Sequence, residues 1–230
     1  MKQKKFDDLP TVVIPSIINA SESHMALIFV LDVSASMEGQ PIEQLNLGLN
    51  RFKEEVCKDK LTRDILDVAI IQFHEEFSVV QDFVPIEYME NIQLKADGRT
   101  KYTEPLREAL KMVDERSRFY RRSGSEPFKP WILLVTDGAP MDDITEVAKE
   151  VKAMQDADKV RLIALGVGEF DPEPLGQLTD VILKLDGMDF SSYFNWVNKS
   201  MRAVSTSTPG EKPVAPPLEG DIIRYTGDVF

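Results

Sequence analysis

Three short segments of the sequence carry oxygen-bearing side chains that could hold a metal ion. The donors are two carboxylates and three hydroxyls, namely Asp32, Ser34, Ser36, Thr100 and Asp137. Mg²⁺ is a hard cation that prefers an octahedron of oxygens and leaves several positions to water or substrate. No soft ligand interrupts the set, and only two of its members are charged. The residue types therefore predict a site for Mg²⁺ or Mn²⁺, provided that the three segments converge.

The apolar pattern predicts the elements that would bring these segments together. Buried strands are predicted from apolar runs, and helices from apolar residues spaced by three and four. The strands fall at 26–31, 68–73, 77–83, 131–135, 162–167 and 181–183, and the helices near 42–56, 106–113, 144–154 and 190–204. This alternation predicts an α/β fold with a doubly wound, mostly parallel sheet flanked by helices on both faces. Such sheets bind ligands beyond the carboxyl ends of their strands, where Asp32 and Asp137 stand.

The five residues together resemble the metal-ion-dependent adhesion site of von Willebrand factor A domains. In that family an Asp-x-Ser-x-Ser loop, a threonine on a second loop and an aspartate on a third hold one Mg²⁺ or Mn²⁺. The resemblance covers roughly residues 24–206 and implies the Rossmann-like fold of the family. It also implies a protein partner that supplies a Glu or Asp carboxylate to the ion. The complete set is a specific signal, whereas any single piece of it is weak.

Two features refine the resemblance. The segments at 39–42, 129–132 and 136–143 look most like stand-alone bacterial members associated with tellurite-resistance-type gene clusters. Arg99 stands where a second glycine is common, and its long side chain at the rim could contact a partner carboxylate or partly cover the metal. Met141 replaces a more usual small polar residue, and neither departure touches a predicted ligand.

Composition excludes several classes of protein. The 230 residues include 27 Lys and Arg against 39 Asp and Glu, which gives a net charge of −12. An acidic chain is a poor match for nucleic acid or for an anionic membrane surface. Cys57 is the only cysteine, so no internal disulfide can form, and two histidines provide little for a His-rich metal site. No apolar run is long enough for a transmembrane helix, and Asp7 and Asp8 interrupt any signal-peptide pattern, so we expect a cytoplasmic protein.

The chain divides into three parts. Residues 1–25 are predicted to be an N-terminal leader, residues 26–206 the von Willebrand A-like domain, and residues 207–230 a Pro-rich linker and C-terminal tail. The last apolar residues, from Ile222 onward, either pair as an edge strand or stay free. Because the Pro-rich stretch separates them from the last helix, we expect deletion of residues 209–230 to leave the core fold intact.

Several of these side chains also have simpler interpretations. Asp32 and Ser34 are of residue types that commonly cap helices. Asp143 is predicted to cap the helix that follows it rather than to bind metal. Asp142 is likewise predicted to lie outside the ligand set. His74 is predicted to lie in a loop, and Cys57 to be a small packing residue. The basic group near the end of the second long helix is predicted to be solvated, with a partner contact as the alternative; its members are Arg116, Arg118, Arg121, Arg122 and Lys129.

Three functions are compatible with an aspartate that follows a strand. The first is a metal-dependent protein-interaction module, which is not an enzyme. The second is a phosphohydrolase of the haloacid dehalogenase type, but its general acid/base would stand at Ser34, which cannot shuttle a proton near neutral pH. The third is a domain whose metal only stabilises the fold. Sequences typical of esterases, P-loop NTPases and dinucleotide sites are absent. The interaction module is the favoured interpretation.

Overall fold

The order of strands and helices follows the alternation expected from the sequence. A computed structural model describes residues 22–227. Its strands are β1 Met25–Asp32, β2 Leu66–Phe73, β3 Phe77–Pro85, β4 Trp131–Thr136, β5 Arg161–Val167, β6 Ile182–Leu185 and β7 Ile222–Thr226. Its helices are α1 Gln40–Val56, α2 Lys60–Ile65, α3 Thr103–Arg122, α4 Thr145–Asp156, α5 Pro172–Leu178 and α6 Ser191–Ser205, with short 3-10 turns at Ala35–Met37 and Ile86–Tyr88.

The seven strands form one mixed sheet in the order β3-β2-β1-β4-β5-β6-β7. The five central strands are parallel, and the two edge strands, β3 and β7, run antiparallel to their neighbours. This confirms the predicted doubly wound, mostly parallel sheet. The chain moves outward from β1 to β2 and later returns to place β4 on the other side of β1. The carboxyl ends of β1 and β4 therefore meet where the winding changes direction, which is the usual ligand position in such sheets.

Both faces of the five central strands are buried, as their apolar runs predicted. The prediction of a buried strand at 77–83 is wrong in its burial, because β3 lies at the edge of the sheet and most of its side chains are exposed. Side chains alternate along β1, so that Phe29 packs towards α1 and α6 while Ile28 packs towards α3 and α4. Helices α1 and α6 approach closely because residue 48 is glycine. A Cβ built there would lie 2.4 Å from the ring of Phe194. This contact anchors α1, the helix that follows the Asp-x-Ser-x-Ser loop.

The sequence patterns missed two short helices and misplaced some ends. Helix α2 has only six residues, of which Thr62 and Ile65 are buried, so it shows no apolar stripe. Helix α5 begins with Pro172 and contributes two buried residues. Strand β1 begins at Met25, so the predicted leader ends one residue earlier than expected. Of that leader, residues 1–21 lie outside the residues that the structure describes.

The C-terminal segment is part of the sheet, which corrects the expectation of a tail separate from the core fold. Strand β7 pairs antiparallel with β6, and Ile222 is 2% exposed. Hydrogen bonds hold both ends, from the amide of Asp186 to the carbonyl of Asp221 and from the Thr226 hydroxyl to the carbonyl of Asp180. Of the two alternatives left open by the sequence, pairing as an edge strand is therefore the correct one. The free tail is wrong because the exposed edge of β6 provides partners for its backbone.

The basic group at the end of α3 is not uniformly solvated. The Arg116 guanidinium is buried against the aromatic rings nearby and donates hydrogen bonds to Oδ2 of Asp67, which also accepts one from the Tyr120 hydroxyl. Arg118 and Lys129 form exposed ion pairs. The prediction of a solvated helix end is therefore wrong for Arg116.

None of the helices within residues 22–227 has the length and apolar character needed to cross a bilayer.

Candidate metal centre

Asp32 is the most buried carboxylate of the predicted site. It is the last residue of β1 and is fully enclosed. Its Oδ1 accepts the amide N–H of Ser34 at 2.8 Å, which turns the chain back over the end of the strand. Its Oδ2 accepts the hydroxyl of Thr136, the last residue of the neighbouring β4, at 2.6 Å. Each carboxylate oxygen therefore has one protein donor, and each retains lone pairs for a cation or for its bound water.

A chain of hydroxyls links the first loop to Asp137. The hydroxyl of Ser36 donates to Oδ1 of Asp137 at 2.8 Å. Since that proton is used, the 3.0 Å contact between the hydroxyls of Ser34 and Ser36 has Ser34 as its donor. Ser34 is buried and Ser36 is exposed. The structure thus brings four of the predicted residues, Asp32, Ser34, Ser36 and Asp137, together at the carboxyl ends of β1 and β4.

The loop that carries Thr100 is fastened to both neighbouring loops. The amide of Ala35 donates to the carbonyl of Gly98 at 3.0 Å, and the amide of Met141 donates to the carbonyl of Thr100 at 2.9 Å. The Thr100 hydroxyl oxygen lies 3.5 Å from the position that a Cβ at Gly138 would occupy. Thr100 is therefore placed beside the turn that carries Asp137, and all five predicted residues share one edge of the sheet.

Three supporting residues were not predicted. Thr136 binds Asp32, and the Tyr102 hydroxyl lies 3.0 Å from the Thr136 hydroxyl and 2.5 Å from the Gly138 carbonyl. Asp142 accepts the amides of Tyr102 and Thr103 at 3.0 and 2.9 Å, so its carboxylate fastens the start of α3. Only Thr136 has a sequence signal, since it ends an apolar strand and directly precedes Asp137.

Two other polar residues near the site, Asp143 and His74, have the roles expected from the sequence. Asp143 accepts the amide of Thr145 at 2.9 Å at the start of α4, as predicted for a capping residue. His74 lies in the turn between β2 and β3 and makes backbone contacts there. Arg99 is exposed at the rim, with its Nε 3.7 Å from Oε1 of Glu75. Met141 is 62% exposed.

Both carboxylates have raised pKa values because they are buried. Burial raises the pKa of Asp32 to about 6, although hydrogen bonds from Thr136 and Ser34 partly oppose the shift. Burial also raises the pKa of Asp137, which the hydrogen bond from Ser36 partly opposes. No lysine or arginine within residues 22–227 contributes to either shift. The buried negative charge of Asp32 and Asp137 would be stabilised by a divalent cation bound beside them.

The donor set fits a hard divalent cation. Two carboxylates and three hydroxyls supply only oxygen, and no group of three or more His, Cys, Asp or Glu suited to a metal occurs in the described part of the chain. Structural Zn²⁺ sites are usually built from the nitrogen of His and the sulfur of Cys. The five residues would hold the ion. The ion would act as a Lewis acid towards an anion at the positions otherwise left to water.

Fold and site together define an α/β domain with a hydroxyl-rich candidate metal centre at the switch point of its sheet. The family model described as von Willebrand factor type A domain matches residues 26–185. The chain therefore belongs to the von Willebrand factor type A domain family. A sequence comparison with curated proteins found no match.

Solved structures share the fold at low sequence identity. A von Willebrand factor type A protein from Catenulispora acidiphila has a TM-score of 0.63 at 15% identity, covering 79% of this chain and 43% of that one. The pilus adhesin SpaC from Lactobacillus rhamnosus GG, in its open conformation, has a TM-score of 0.64 at 16% identity, covering 78% and 30%. Proximal thread matrix protein 1 from the mussel byssus, with a zinc-occupied MIDAS motif, has a TM-score of 0.55 at 19% identity, covering 79% and 48%. This chain thus spans less than half the length of each.

Proposed function

We propose that this protein is a metal-dependent protein-interaction module that binds a partner carboxylate through Mg²⁺ or Mn²⁺. The hydrogen-bonded arrangement of Asp32, Ser34, Ser36 and Asp137 carries the proposal. Thr100 completes the ligand set from a second loop. The zinc-occupied MIDAS motif of the mussel protein supports a divalent metal at this position. The all-oxygen donor set favours Mg²⁺ or Mn²⁺ over zinc in this chain.

The ion attracts an anionic ligand when its direct ligands do not fully neutralise its charge. Two carboxylates nominally balance the divalent charge, and the hydroxyls contribute dipoles alone. Where one carboxylate acts through water, the ion remains electrophilic towards a Glu or Asp of the partner. Arg99, exposed at the rim, provides a second contact to that carboxylate by leaving Glu75. The net charge of −12 opposes long-range attraction of an acidic partner, so the affinity depends on the dissociation rate.

The proposed module is not an enzyme. A phosphohydrolase would need a carboxylic acid two residues after Asp32, and that residue is Ser34, whose hydroxyl is already bonded to Ser36. We expect no metal-dependent hydrolysis of p-nitrophenyl phosphate above background. Turnover that disappears in Asp32→Asn would show that the phosphohydrolase is the correct alternative.

The cellular setting is proposed from the sequence. The likeness of three segments to stand-alone bacterial members supports a role in a stress-response or tellurite-resistance-type system. The single cysteine supports a reducing, cytoplasmic location, since no internal disulfide can form. The partner is proposed to be a protein, with neither nucleic acid nor membrane involved.

Calorimetry on the chelator-stripped protein tests the metal site. We expect one site for Mg²⁺ or Mn²⁺, lost in both Asp32→Ala and Asp137→Ala. Asp143→Ala is the matched control, because its carboxylate caps α4 close to the site. Binding that is unchanged in the double variant of Asp32 and Asp137 would refute the ligand assignment.

Partner capture tests the interaction. Proteins retained from a cell extract in Mg²⁺ should be released by EDTA and should not be retained by Asp32→Ala. Equal retention in Mg²⁺ and in EDTA, by wild type and by the variant, would show that the metal only stabilises the fold.

A further inference from the structure

An open groove lies on the face of the sheet that helix α5 covers only in part. It has a volume of about 420 Å³, and its lining residues come from α5, from the turn before β6 and from the end of β7. Strand β7 is an edge strand and stands three strands away from β4. At about 4.8 Å per strand, the groove is therefore well separated from the proposed metal site beside β4.

The β7 side of the groove presents apolar side chains to solvent. Tyr225 lines the groove and is 50% exposed, and Ile223 is 48% exposed. Ile223 pairs with Lys184, which shares its face of the sheet with the lining residue Ile182. Both exposed side chains therefore lie on the α5 face. The helix layer on this face ends at α5 and leaves β7 uncovered.

Two features of its surroundings hold Tyr225 towards the groove. The register of β7 against β6 shifts between Arg224 and Thr226, so Tyr225 is the extra residue of a β-bulge, a feature that redirects side chains. Its ring packs edge-to-face against Phe170, with 5.7 Å between the ring centroids. Phe170 is itself closely packed, because a Cβ added at Gly166 would lie 2.3 Å from its ring. The exposed aromatic surface is thus held in place before any partner binds.

Gly176 keeps the α5 side of the groove open. Glycine inside a helix lowers stability relative to most other residues, so its presence calls for a reason. Its backbone is not in the left-handed region, and a Cβ added there would have no atom within 4 Å. Neither the conformation of α5 nor close packing therefore requires glycine. A side chain at this position would instead occupy space in the groove that residue 176 lines.

The rim of the groove is acidic. Glu173 and Asp180 line it and are exposed, whereas no lysine or arginine in the described part of the chain is among the lining residues. Two further exposed carboxylates, Glu169 and Asp171, lie just before α5. Within the described residues, Glu169 is the one member of this group that forms an ion pair, with Lys184 at 3.9 Å. The charge of the rim therefore favours a cationic ligand.

We propose that this groove binds a segment of a partner protein in which arginine or lysine alternates with apolar residues. The apolar side chains pack on Ile223 and Tyr225. A cationic head lies over the ring of Tyr225 and beside Glu173 or Asp180, with its aliphatic stem along the groove. Charge complementarity selects this occupant, because an acidic rim repels nucleic acid, anionic lipid and a second copy of a chain whose net charge is −12. The groove is separate from the proposed metal-dependent interaction, so either proposal can be correct without the other.

Three labelled hexapeptides test the proposal on the full chain. The first alternates Leu and Arg, the second alternates Ser and Arg, and the third alternates Leu and Glu. Fluorescence anisotropy is measured in EDTA, which removes divalent metals, and at about 0.15 M salt, which screens general attraction of a basic peptide to an acidic chain. We expect saturable binding of the Leu/Arg peptide, about fivefold or more tighter than that of the Ser/Arg peptide. The Leu/Glu peptide should not bind.

Matched charge variants locate the binding. The double variant Glu173→Gln with Asp180→Asn should weaken binding of the Leu/Arg peptide about fivefold, since each exposed ion pair contributes modestly. Glu43→Gln with Glu54→Gln is the control, because it removes two exposed charges from α1, on the other face of the sheet. Tyr225→Ala should also weaken binding about fivefold, whereas Tyr225→Phe, which keeps the ring, should not.

Filling the groove separates binding from folding. Gly176→Leu should raise the midpoint of thermal unfolding by about 2–4 °C, because leucine favours a helix more than glycine does. The same variant should weaken binding of the Leu/Arg peptide, because the new side chain occupies the groove. Gln177→Leu, at the next exposed residue of α5, does not line the groove and should leave the affinity unchanged. Unchanged affinity in Gly176→Leu would place the peptide outside the groove and contradict the proposal.

Four other results would overturn the proposal. The first is no saturable binding of the Leu/Arg peptide below about 1 mM. The second is equal weakening by the two double charge variants, which would indicate attraction to surface charge in general. The third is equal affinity for the Leu/Arg and Ser/Arg peptides, which would show that the apolar side chains take no part. The fourth is a dimer in sedimentation that Tyr225→Ala dissociates, which would identify a second copy of this chain as the occupant.

Discussion

The hydroxyl of Thr136 donates a 2.6 Å hydrogen bond to Oδ2 of Asp32, joining the last residues of two adjacent parallel strands. The Tyr102 hydroxyl lies within hydrogen-bond distance of Thr136 from the other side. Oδ2 of Asp32 is thereby held in place by buried groups before any metal binds. Such preorganisation lowers the entropy cost of assembling a metal site from separate loops.

Replacing Thr136 by valine should destabilise the metal-free protein. The shape is nearly conserved, but Oδ2 of the buried Asp32 loses its donor, which costs about 1–3 kcal/mol. Urea unfolding in EDTA measures the loss. Thr206→Val, at an exposed position after α6, is the control and should change the free energy of unfolding far less. Equal effects of the two substitutions would contradict the role assigned to Thr136.

Asp32→Asn should stabilise the metal-free protein while abolishing stabilisation by Mg²⁺. The pKa of Asp32 is raised from 3.8 to about 6 in the folded state, so the folded protein binds the proton more tightly than the unfolded chain does. The ionised carboxyl therefore opposes folding above pH 6, by about 3 kcal/mol for a shift of roughly two pKa units. This penalty diminishes as the pH falls from 6 to 4.

Thermal unfolding in EDTA at a series of pH values checks this prediction. The advantage of Asp32→Asn over wild type should be greatest at pH 7 and should disappear near pH 4. A variant that is less stable than wild type at pH 7 in EDTA would show that the buried carboxylate is compensated by other groups.

Thr100→Ala should weaken Mg²⁺ binding without destabilising the metal-free fold. The substitution removes one neutral oxygen from a loop whose attachments are made by backbone atoms. By analogy with a hydrogen bond to a charged group, the loss is about 1.5–3 kcal/mol, or roughly ten- to a hundredfold in affinity. Calorimetry with Mg²⁺ measures it, and Thr145→Ala, an exposed residue at the start of α4, serves as the control. Unchanged affinity in Thr100→Ala would remove Thr100 from the ligand set.

Ile222 and Ile223 provide a matched pair that tests whether β7 contributes to stability. Ile222 is 2% exposed and Ile223 is 48% exposed, although they are neighbours on the same strand. Ile222→Ala should cost about 2 kcal/mol or more, because a buried side chain is truncated, whereas Ile223→Ala should change stability by less than about 0.5 kcal/mol. Denaturant unfolding compares them. A small effect for both would show that the sheet does not depend on β7.

Local patterns in the sequence predicted the central architecture and the candidate ligands. The run from Ala26 to Leu31 is apolar at every position, which is the mark of a strand buried on both faces, and Asp32 follows it directly. Because parallel strands end at the same edge of a sheet, residues that follow β1 and β4 could be placed at one edge, and the observed adjacency of β1 and β4 then brings them close together. The Asp-x-Ser-x-Ser spacing is likewise a local property. Fold class and the five site residues could therefore be proposed before any coordinates were known.

The tertiary structure alone decided which residues support the site and that β7 pairs with β6. Tyr102 reaches Thr136 from 34 residues away, and Asp142 fastens α3 from 40 residues away. Strand β7 follows a Pro-rich segment and has a single buried residue, Ile222, so its own pattern distinguishes it poorly from a free tail. Periodicity reports only whether a segment has an apolar face. The hydrogen-bond partner of a polar side chain, or of an edge strand, depends on which distant surface the completed fold places beside it.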